Sequence, residues 1–349
     1  MLWGRDVRWL GKDILSVNMK IVVDKAIPYL SGVFEPYAEV VYLNGSDIKH
    51  ADVVDADALI VRTRTRCDKA LLDGSKVKLI ATATIGRDHI EEEYCHAAGI
   101  EVCSAPGCNA RGVLQWVAAV LRHVVEGDGR KCGDYRVGVV GVGNVGSLVS
   151  RYARHWGFGV LECDPPRFER EGGDFRSIGE LAQVCDILTF HTPLDATTHH
   201  LVDEKLLQTM RDKAVIINAS RGGVVDNDAV AKSGHRYYFD VWEGEPDVER
   251  YVVDGATFAT PHVAGYSVQG KANATAAVVA AVVRYFGLPL EGWYPSGVEC
   301  VEPRMISWED MCATIDEYFN IAAESEVFKR KIDEFEQLRN NYKYRSEYF

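Results

Sequence analysis

The 349-residue sequence lacks several features that would place it in a specialised class of protein. Its longest apolar run, at residues 276–283, is far too short to cross a bilayer. Charged residues interrupt the apolar residues of positions 1–18, so this segment resembles neither a signal peptide nor a membrane anchor. These absences predict a cytoplasmic protein without a membrane partner. Met19 opens the first predicted strand, and residues 1–18 are expected to be an N-terminal extension.

Basic charge and closely spaced cysteines are also scarce. Lysine and arginine number 39 against 51 acidic residues, and the net charge of −12 argues against a nucleic-acid partner, which needs a basic face. A small anionic substrate is still compatible, because it needs only a local cluster of arginines. The closest cysteine pair, Cys103 and Cys108, has no further His or Cys beside it to complete a zinc site. We therefore predict reduced thiols and no metal site.

The clearest signal that is present is the segment YRVGVVGVGNVG at residues 135–146. Its first half is short, apolar and β-branched, as in a buried parallel strand. Gly141, Gly143 and Gly146 then follow in the spacing G-x-G-x-x-G, ahead of a helix-like stretch. This spacing suits a tight turn, a close approach of the backbone to a pyrophosphate, and close packing of the helix on the strand.

The helix N-terminus and a later acidic residue complete the pattern. The N–H groups of the first helical turn, at Asn144 and Val145, are expected to face the phosphates of a dinucleotide. A second apolar strand at 159–163 leads to Asp164, 23 residues after the first glycine. A carboxylate at this distance hydrogen-bonds the ribose hydroxyls of NAD and repels the 2′-phosphate of NADP. The sequence therefore predicts NAD, although Arg167 favours NADP unless it is a surface arginine.

Short apolar strands alternate with helical stretches in two blocks, which is typical of parallel α/β sheets. We predict two Rossmann-like or flavodoxin-like domains with a cleft between them. A substrate-binding domain is expected at residues 19–108 with 264–288, and an NAD-binding domain at 109–263. Long apolar helices are predicted at 110–125 and 265–286. The predicted strands are 20–23, 40–43, 58–61, 79–83, 101–103, 136–140, 159–163, 187–190, 214–218, 236–241 and 256–260.

The composition changes from about residue 287 onward. Three prolines interrupt the chain there, and residues 308–348 alternate charged with aromatic side chains. That pattern predicts an amphipathic helical segment, which suits an oligomerisation element better than a catalytic one. We therefore predict a C-terminal dimerisation region at 289–349 and a homodimer.

Three segments place chemically active side chains just after predicted strands, where α/β enzymes bind their ligands. Arg221 follows AVIINAS, Glu245 lies in DVWEGEP, and His262 lies in ATPHVAGYS. A guanidinium can bind a carboxylate through two hydrogen bonds, and an imidazole can take a hydroxyl proton as hydride leaves the same carbon. A carboxylate on the other ring nitrogen fixes the tautomer and raises the pKa of the imidazole. The set predicts hydride chemistry on a 2-hydroxy acid.

Each of these residues also has a structural interpretation. Arg221 could be a surface charge, Glu245 a turn or capping acid, and His262 a structural histidine. Their joint placement after successive strands, downstream of a dinucleotide site, favours catalysis. His191 also ends a strand and is expected to line the cofactor pocket or to pack beneath it.

Five segments together resemble the D-isomer-specific 2-hydroxyacid dehydrogenase family, over about residues 19–288: GVVGVGNVG, LTFHTPL, INASRGGVVD, DVWEGEP and PHVAGYS. Shorter pieces, among them CDPPR, GDFRS, APGCNA and FEQLRNNYKYRSEY, resemble a branch of this family with a phosphorylated substrate. The resemblance implies NAD-dependent oxidation of a small phosphorylated 2-hydroxy acid. It also implies a catalytic set of Arg221, Glu245 and His262, in which His262 gives and takes the proton.

Further contacts are implied by the same resemblance. The implied contacts to NAD are Asp164, Thr192, Ala219, Ser220, Arg221, Asp240 and Gly265, and the implied substrate contacts are Thr63, Thr84 and Tyr266. A hydroxyl after a strand end suits a hydroxy acid or a phosphate, although β-branching in a strand also explains the two threonines. Several arginines lie near the expected substrate loops, and our hypothesis is that Arg62 or Arg64 binds the phosphate.

Two other functions are compatible with the sequence. A related enzyme acting on phosphoglycerate, or on hydroxypyruvate or glycerate, would use the same chemistry with a different pocket. A non-catalytic NAD-sensing binding protein on the same fold is the alternative from another class. The intact Arg–Glu–His set and the acidic charge argue against it. The resemblance also implies a longer dimerisation domain than the one seen here, so a shortened domain is expected and the form of the dimer is open.

Overall fold

The computed structural model describes residues 19–349, and the predicted extension at 1–18 lies outside the described residues. The described chain forms two compact units. The first consists of residues 19–104 and Ala277–Trp293, and the second consists of Ala105–Ala276 and Tyr294–Phe349. The division differs from the expected one at three places, because 105–108 and 264–276 belong to the second unit and 289–293 to the first. The largest difference is at 264–276. The reason is close packing, since Gly265 and Gly270 lie directly against Asn109 of the second unit.

The first unit is built on a five-stranded parallel sheet with the order β2-β1-β3-β4-β5. This order is that of flavodoxin-like sheets. β3 and β4 are buried along their whole length, as expected for parallel strands that have helices on both faces. The elements are β1 Lys20–Asp24, β2 Glu39–Leu43, α1 His50–Val53, β3 Ala58–Val61, α2 Lys69–Leu72, β4 Leu79–Thr82, α3 Glu92–Ala97 and β5 Glu101–Cys103.

The second unit contains a six-stranded parallel sheet with the order β11-β10-β9-β8-β6-β7. Its elements up to the last strand are α4 Ala110–Asp128, β6 Arg136–Val140, α5 Asn144–His155, β7 Gly159–Cys163, α6 Pro165–Glu171, α7 Ile178–Val184, β8 Ile187–Phe190, α8 Glu204–Thr209, β9 Val215–Asn218, α9 Asn227–Ser233, β10 Arg236–Phe239, α10 Arg250–Gly255 and β11 Phe258–Ala259. Next comes α11, Val268–Phe286. The strand order changes direction at β6, and ligands bind at such switch points in open α/β sheets.

The two sheets confirm the predicted class of parallel α/β domains. All eleven predicted strands are present, and most ends agree within one residue. β10 and β11 are shorter than predicted, because the chain leaves the sheet at Asp240 and Thr260 to form the loops of the site. Among residues 19–349, no helix combines the length and the apolar character that crossing a membrane requires.

The C-terminal region folds onto the second unit. The predicted helical segment is present as α12 Trp308–Tyr318, α13 Ile321–Arg330 and α14 Phe335–Asn340, but the prediction is wrong beyond Asn340. There the chain is extended, because Arg345 forms a β-bridge with Ser267. The apolar faces of the helices are buried within the same chain. Phe328 lies against Trp242, with ring centroids 5.9 Å apart, and Trp308 lies against Trp156 at 5.6 Å.

Candidate active site

The glycine turn after β6 has the shape that a dinucleotide needs. Gly141 has a φ of 83°, and a Cβ there would collide with the backbone of His191. A Cβ on Gly146 would collide with the carbonyl oxygen of Gly141, so α5 begins as close to the turn as predicted. At Gly143 nothing lies within 4 Å of such a Cβ, which leaves open space in front of the first turn of α5, at Asn144 and Val145. These residues fit a pyrophosphate held at the helix N-terminus.

Asp164 follows β7 and turns its carboxylate toward this glycine turn. Oδ2 accepts a hydrogen bond from the N–H of Val142 at 2.8 Å, and Oδ1 accepts one from the N–H of Arg167 at 3.0 Å. The guanidinium of Arg167 binds Glu171 at 2.7 Å and the carbonyl of Val142 at 2.9 Å. Arg167 is therefore held in local contacts, and the acidic Asp164 side chain faces the turn, as NAD rather than NADP requires.

Two buried polar atoms beside the turn have no hydrogen-bond partner among the described residues: Nδ1 of His191 and Oγ1 of Thr192. The other ring nitrogen of His191, Nε2, lies 2.9 Å from the hydroxyl of Thr189. Burial lowers the pKa of His191 to about 3, so its ring is neutral. Unpaired buried polar groups carry a free-energy penalty that a bound cofactor can remove. Both residues thus suit a position under the dinucleotide.

The predicted acid–base pair is present as a direct contact. Nδ1 of His262 lies 2.7 Å from Oε2 of Glu245, and Oε1 of Glu245 accepts a hydrogen bond from the N–H of Trp242 at 2.9 Å. The side chains are partly covered, with 33% of His262 and 19% of Glu245 exposed. An ionised carboxylate only accepts hydrogen bonds, so Nδ1 carries the proton and Nε2 is the basic nitrogen of the neutral ring.

The charge state of Glu245 follows from its surroundings. Burial alone raises its pKa, but the charge of His262, the hydrogen bonds from His262 and Trp242, and the charge of Arg339 act in the opposite direction. The net result is that the pKa of Glu245 lies below its usual value. Glu245 is therefore ionised at neutral pH and stabilises a positive charge on the imidazole.

Asp240 anchors the loop that carries His262. Its carboxylate is 1% exposed and accepts three hydrogen bonds, from the Thr260 hydroxyl at 2.6 Å, the Val263 N–H at 2.8 Å and the Ala264 N–H at 2.9 Å. Burial raises the pKa of Asp240, while these donors and the charge of His262 oppose the increase. The structure thus gives Asp240 a positioning role, and its contact with NAD stays a prediction.

The loop that contains Arg221 is held by the Asn218 side chain and by contact with a neighbouring loop. The Asn218 side chain donates to the carbonyl of Arg221 at 2.9 Å and accepts from the Ser220 hydroxyl at 2.8 Å. A Cβ on Gly222 would collide with the carbonyl of Trp242, so this loop lies against the one that leads to Glu245. The sequence offered no signal for Gly222, because its role depends on two loops that meet only in the fold.

A cavity of about 350 Å³ brings the three predicted catalytic residues together. Arg221, Glu245 and His262 all line it, although 41 residues of sequence separate the first from the last. An acid–base pair and a guanidinium on one cavity can bind an anionic hydroxy acid and remove its hydroxyl proton. Ala219 and Ser220 precede Arg221 in the same loop, and Gly265 follows the His262 loop.

The same part of the molecule holds a cluster that sequence reasoning missed. Donor atoms of His199, His200 and Glu243 lie within 4.8 Å of one another. Nε2 of His200 is 2.7 Å from Oε1 of Glu243, whose Oε2 accepts a hydrogen bond from the N–H of Asn227 at 3.0 Å. The rings of His199 and His200 are stacked, with centroids 4.1 Å apart. His199 and Glu243 also line the cavity, so this cluster forms one of its walls.

The predicted substrate residues of the first unit lie at the carboxyl ends of neighbouring strands. Arg62 and Thr63 follow β3, and Thr84 follows β4. Nε of Arg62 donates to the buried carboxylate of Asp24 at 3.1 Å. The Thr84 hydroxyl donates to the carbonyl of Gly86 at 3.0 Å. Arg64 lies in the same loop as Arg62 and has interactions of its own.

Tyr266 lies beside the C-terminal segment of the second unit. Nη2 of Arg339 donates to its hydroxyl at 3.4 Å, and its ring contacts those of Tyr342 and Tyr344, with centroids 5.9 and 6.0 Å away. Nζ of Lys271 lies 3.7 Å from the centroid of the Tyr266 ring. The role of Arg339 could not be predicted from the sequence, because this residue lies 73 positions from Tyr266 and approaches it only in the folded chain.

Substitution of two glycines separates packing from cofactor binding. Gly146→Ala is expected to lower the free energy of unfolding by about 1–3 kcal/mol, because the new methyl group collides with backbone. Gly143→Ala is expected to keep the wild-type melting temperature but to raise the Kd for NADH at least tenfold, or ~1.4 kcal/mol, because the methyl group occupies the open space. Thermal unfolding and fluorescence titration with NADH measure both effects. A stable Gly146→Ala variant or unchanged NADH binding by Gly143→Ala would contradict this interpretation.

Comparisons with known proteins identify the family of the chain. The profile of the D-isomer specific 2-hydroxyacid dehydrogenase NAD binding domain matches residues 110–264. The chain is 40% identical over 340 residues to an erythronate-4-phosphate dehydrogenase of Bacteroides thetaiotaomicron, and the match covers 94% of this chain and 97% of the relative. It is 43% identical over 279 residues to an erythronate-4-phosphate dehydrogenase of Escherichia coli, with 77% and 74% covered.

A solved structure gives the same result for the fold and the cofactor. The NAD⁺-bound 3-phosphoglycerate dehydrogenase of Entamoeba histolytica matches with a TM-score of 0.66 at 25% identity, covering 81% of this chain and 100% of that one. The matched NAD binding domain contains the glycine turn, Asp164 and the three catalytic candidates. The chain therefore belongs to the D-isomer specific 2-hydroxyacid dehydrogenase family and is an NAD-dependent dehydrogenase.

Proposed function

We propose that the protein oxidises the C2 hydroxyl of 4-phospho-D-erythronate to give 3-hydroxy-2-oxo-4-phosphooxybutanoate, with NAD as acceptor, in the biosynthesis of pyridoxal 5′-phosphate. The observation that carries the proposal is the 2.7 Å contact of His262 with Glu245 on the cavity that Arg221 also lines. The similarity to erythronate-4-phosphate dehydrogenases over nearly the whole chain supports the choice of substrate.

His262 and Glu245 move the proton in this reaction. Neutral Nε2 takes the proton of the C2 hydroxyl, while the C2–H bond breaks and its electron pair leaves as hydride. The imidazole becomes positively charged, and the ionised Glu245 carboxylate on Nδ1 stabilises that charge. When bound, NAD supplies the nicotinamide ring that accepts the hydride.

Arg221 orients the substrate. Its planar guanidinium can bind the C1 carboxylate through two hydrogen bonds and polarise the carbonyl that develops at C2. The residues fit to hold NAD are the turn of Gly141, Gly143, Asn144, Val145 and Gly146, followed by Asp164, Thr192, Ala219, Ser220, Asp240 and Gly265. Thr63, Thr84 and Tyr266 are the proposed substrate contacts.

The phosphate of the substrate needs positive charge. Arg62 or Arg64, in the loop after β3, is the proposed ligand. Nε of Arg62 is already paired with the buried Asp24 carboxylate, so only the other N–H groups of its guanidinium could bind the phosphate of a substrate. Loss of both arginines without a change in KM for phosphoerythronate would exclude this role.

The remaining assignments concern the domains and the assembly. We assign substrate binding to the first unit, NAD binding to the second, and dimerisation to the C-terminal region. The nine cysteines are free thiols, which supports a cytoplasmic location. We expect a homodimer, so sedimentation equilibrium should give twice the chain mass of 38.8 kDa. A single mass of one chain at micromolar concentration would exclude a stable dimer.

The substrate is tested by following NADH formation at its absorbance band. The enzyme is incubated with 4-phosphoerythronate, 3-phosphoglycerate or glycerate, with and without a 2-oxo acid that would reveal tightly bound cofactor. We expect turnover with 4-phosphoerythronate alone. If only another acid is turned over, the proposed chemistry stands but the proposed substrate is wrong. If no acid is turned over, an NAD-sensing binding protein is favoured.

The pH profile tests the acid–base pair. Oxidation needs the neutral form of His262, so kcat/KM should fall as the pH decreases through the protonation of that ring. Glu245 is ionised across this range because its pKa lies below its usual value, so its own titration does not cause the fall. Glu245→Gln removes the negative charge that stabilises the protonated ring. It should reduce kcat about 100-fold. A kcat equal to that of the wild-type enzyme would contradict the proposed role of the pair.

A further inference from the structure

Arg339 of α14 lies beside Tyr266, and its ion pair among the described residues is a long one. Its Nε is buried and makes no hydrogen bond among the described residues. The nearest carboxylate pairing is a long one, with Nη1 3.8 Å from Oε1 of Glu336. Nη2 donates only a 3.4 Å hydrogen bond, to the hydroxyl of Tyr266. The guanidinium, whose side chain is 19% exposed, therefore has unused capacity to bind an anion.

The surroundings of Arg339 are basic and aromatic. Tyr266 is flanked by Arg339 and by Lys271, whose Nζ lies 3.7 Å from the Tyr266 ring centroid and 5.3 Å from that of Tyr344. Arg345 is buried behind them and donates to the carbonyls of Val263 and Tyr266 at 3.2 and 3.3 Å. Arg345 thus holds the His262 loop through these hydrogen bonds, whereas Lys271 and Arg339 contact the Tyr266 side chain itself.

The extended chain after Asn340 contacts the loop that follows His262. Arg345 donates a hydrogen bond to the carbonyl of Val263 and forms a β-bridge with Ser267. Tyr266 follows His262 by only four residues, at the end of the loop that Arg345 holds. A phosphate bound between Arg339 and Tyr266 would therefore lie at the end of the loop that carries His262.

We propose that Arg339 binds the phosphate of the substrate, next to the hydroxyl of Tyr266. The proposal rests on the proposed function and adds a ligand from the C-terminal segment to it. A guanidinium presents a fork of N–H donors that matches a phosphate, and Lys271, whose Nζ lies 3.7 Å from the centroid of the Tyr266 ring, adds positive charge.

Two alternatives are less well supported by the contacts. The carboxylate of the substrate is better matched by Arg221, because that residue lines the cavity together with His262 and Glu245. Nε of Arg62 lies 3.1 Å from Oδ2 of the buried Asp24. Arg62 could therefore bind a phosphate only while it stays paired with this carboxylate. The pairing of Arg339 with a carboxylate is weaker, since its Nη1 lies 3.8 Å from Oε1 of Glu336.

The test compares a phosphorylated substrate with its unphosphorylated counterpart. Arg339→Gln should lower kcat/KM for 4-phospho-D-erythronate about 10- to 100-fold, mainly through KM, because a charged hydrogen bond is lost. It should change kcat/KM for D-erythronate less than threefold. Inorganic phosphate should inhibit the wild-type enzyme competitively and inhibit the variant at least tenfold more weakly. Arg339→Lys keeps the charge but not the forked set of N–H donors. Its kcat/KM for 4-phospho-D-erythronate should lie between the values of the wild-type enzyme and of Arg339→Gln.

Controls separate this role from a structural one. Arg330→Gln makes the same change at an arginine whose side chain is 74% exposed, and it should leave both kcat/KM values and the inhibition by phosphate unchanged. The melting temperature and the Kd for NADH show whether each variant is folded. An equal loss with both substrates would overturn the proposal and make Arg339 a positioning residue for Glu245.

Other results also decide the question. Loss of phosphate selectivity in Arg64→Gln but not in Arg339→Gln would overturn the proposal and place the phosphate on the loop after β3. Failure of the proposed function is seen earlier and separately, as absence of turnover of phosphoerythronate by the wild-type enzyme. In that case both proposals fall.

Discussion

The buried carboxylate of Asp240 holds the loop that carries His262, and the catalytic pair depends on this restraint. The loop bends at His262, whose φ of 58° lies in the left-handed region, where a residue other than glycine persists only when its neighbours hold it. The carbonyl of Asp240 accepts from the His262 N–H at 2.7 Å, and its carboxylate binds Thr260, Val263 and Ala264. Burying this charge is costly, and these donors offset the cost. Because the loop is fixed, Nδ1 of His262 stays against Glu245.

Close backbone contacts bring the other parts of the site to the same edge of the sheet. Gly222 lets the Arg221 loop lie against the backbone of Trp242, and Gly141 lets the dinucleotide turn lie against His191. Larger residues at these positions would separate these loops. The arrangement of the site therefore depends on close-packed glycines as well as on the side chains of Arg221, Glu245 and His262.

The C-terminal segment has two roles in this arrangement. Its apolar side chains complete the core of the second unit, as the contact of Phe328 with Trp242 shows. Its last part is extended and anchored by Arg345, and Tyr342 and Tyr344 in this part contact the ring of Tyr266. A segment whose sequence predicts an assembly element thus also surrounds Tyr266.

Local pattern was enough to predict both parallel sheets, the glycine turn with Asp164, and the meeting of Arg221, Glu245 and His262, because each follows a short apolar strand and side chains after parallel strands meet at one edge. Tertiary structure alone decided what depends on contacts between distant segments. These include the role of Asp240 as an anchor, the cluster of His199, His200 and Glu243, the extended end of the chain, and the approach of Arg339 to Tyr266. Sequence periodicity reports which residues are apolar and how an element begins. It carries no information on which loops meet, since that is determined by packing between segments far apart in the chain.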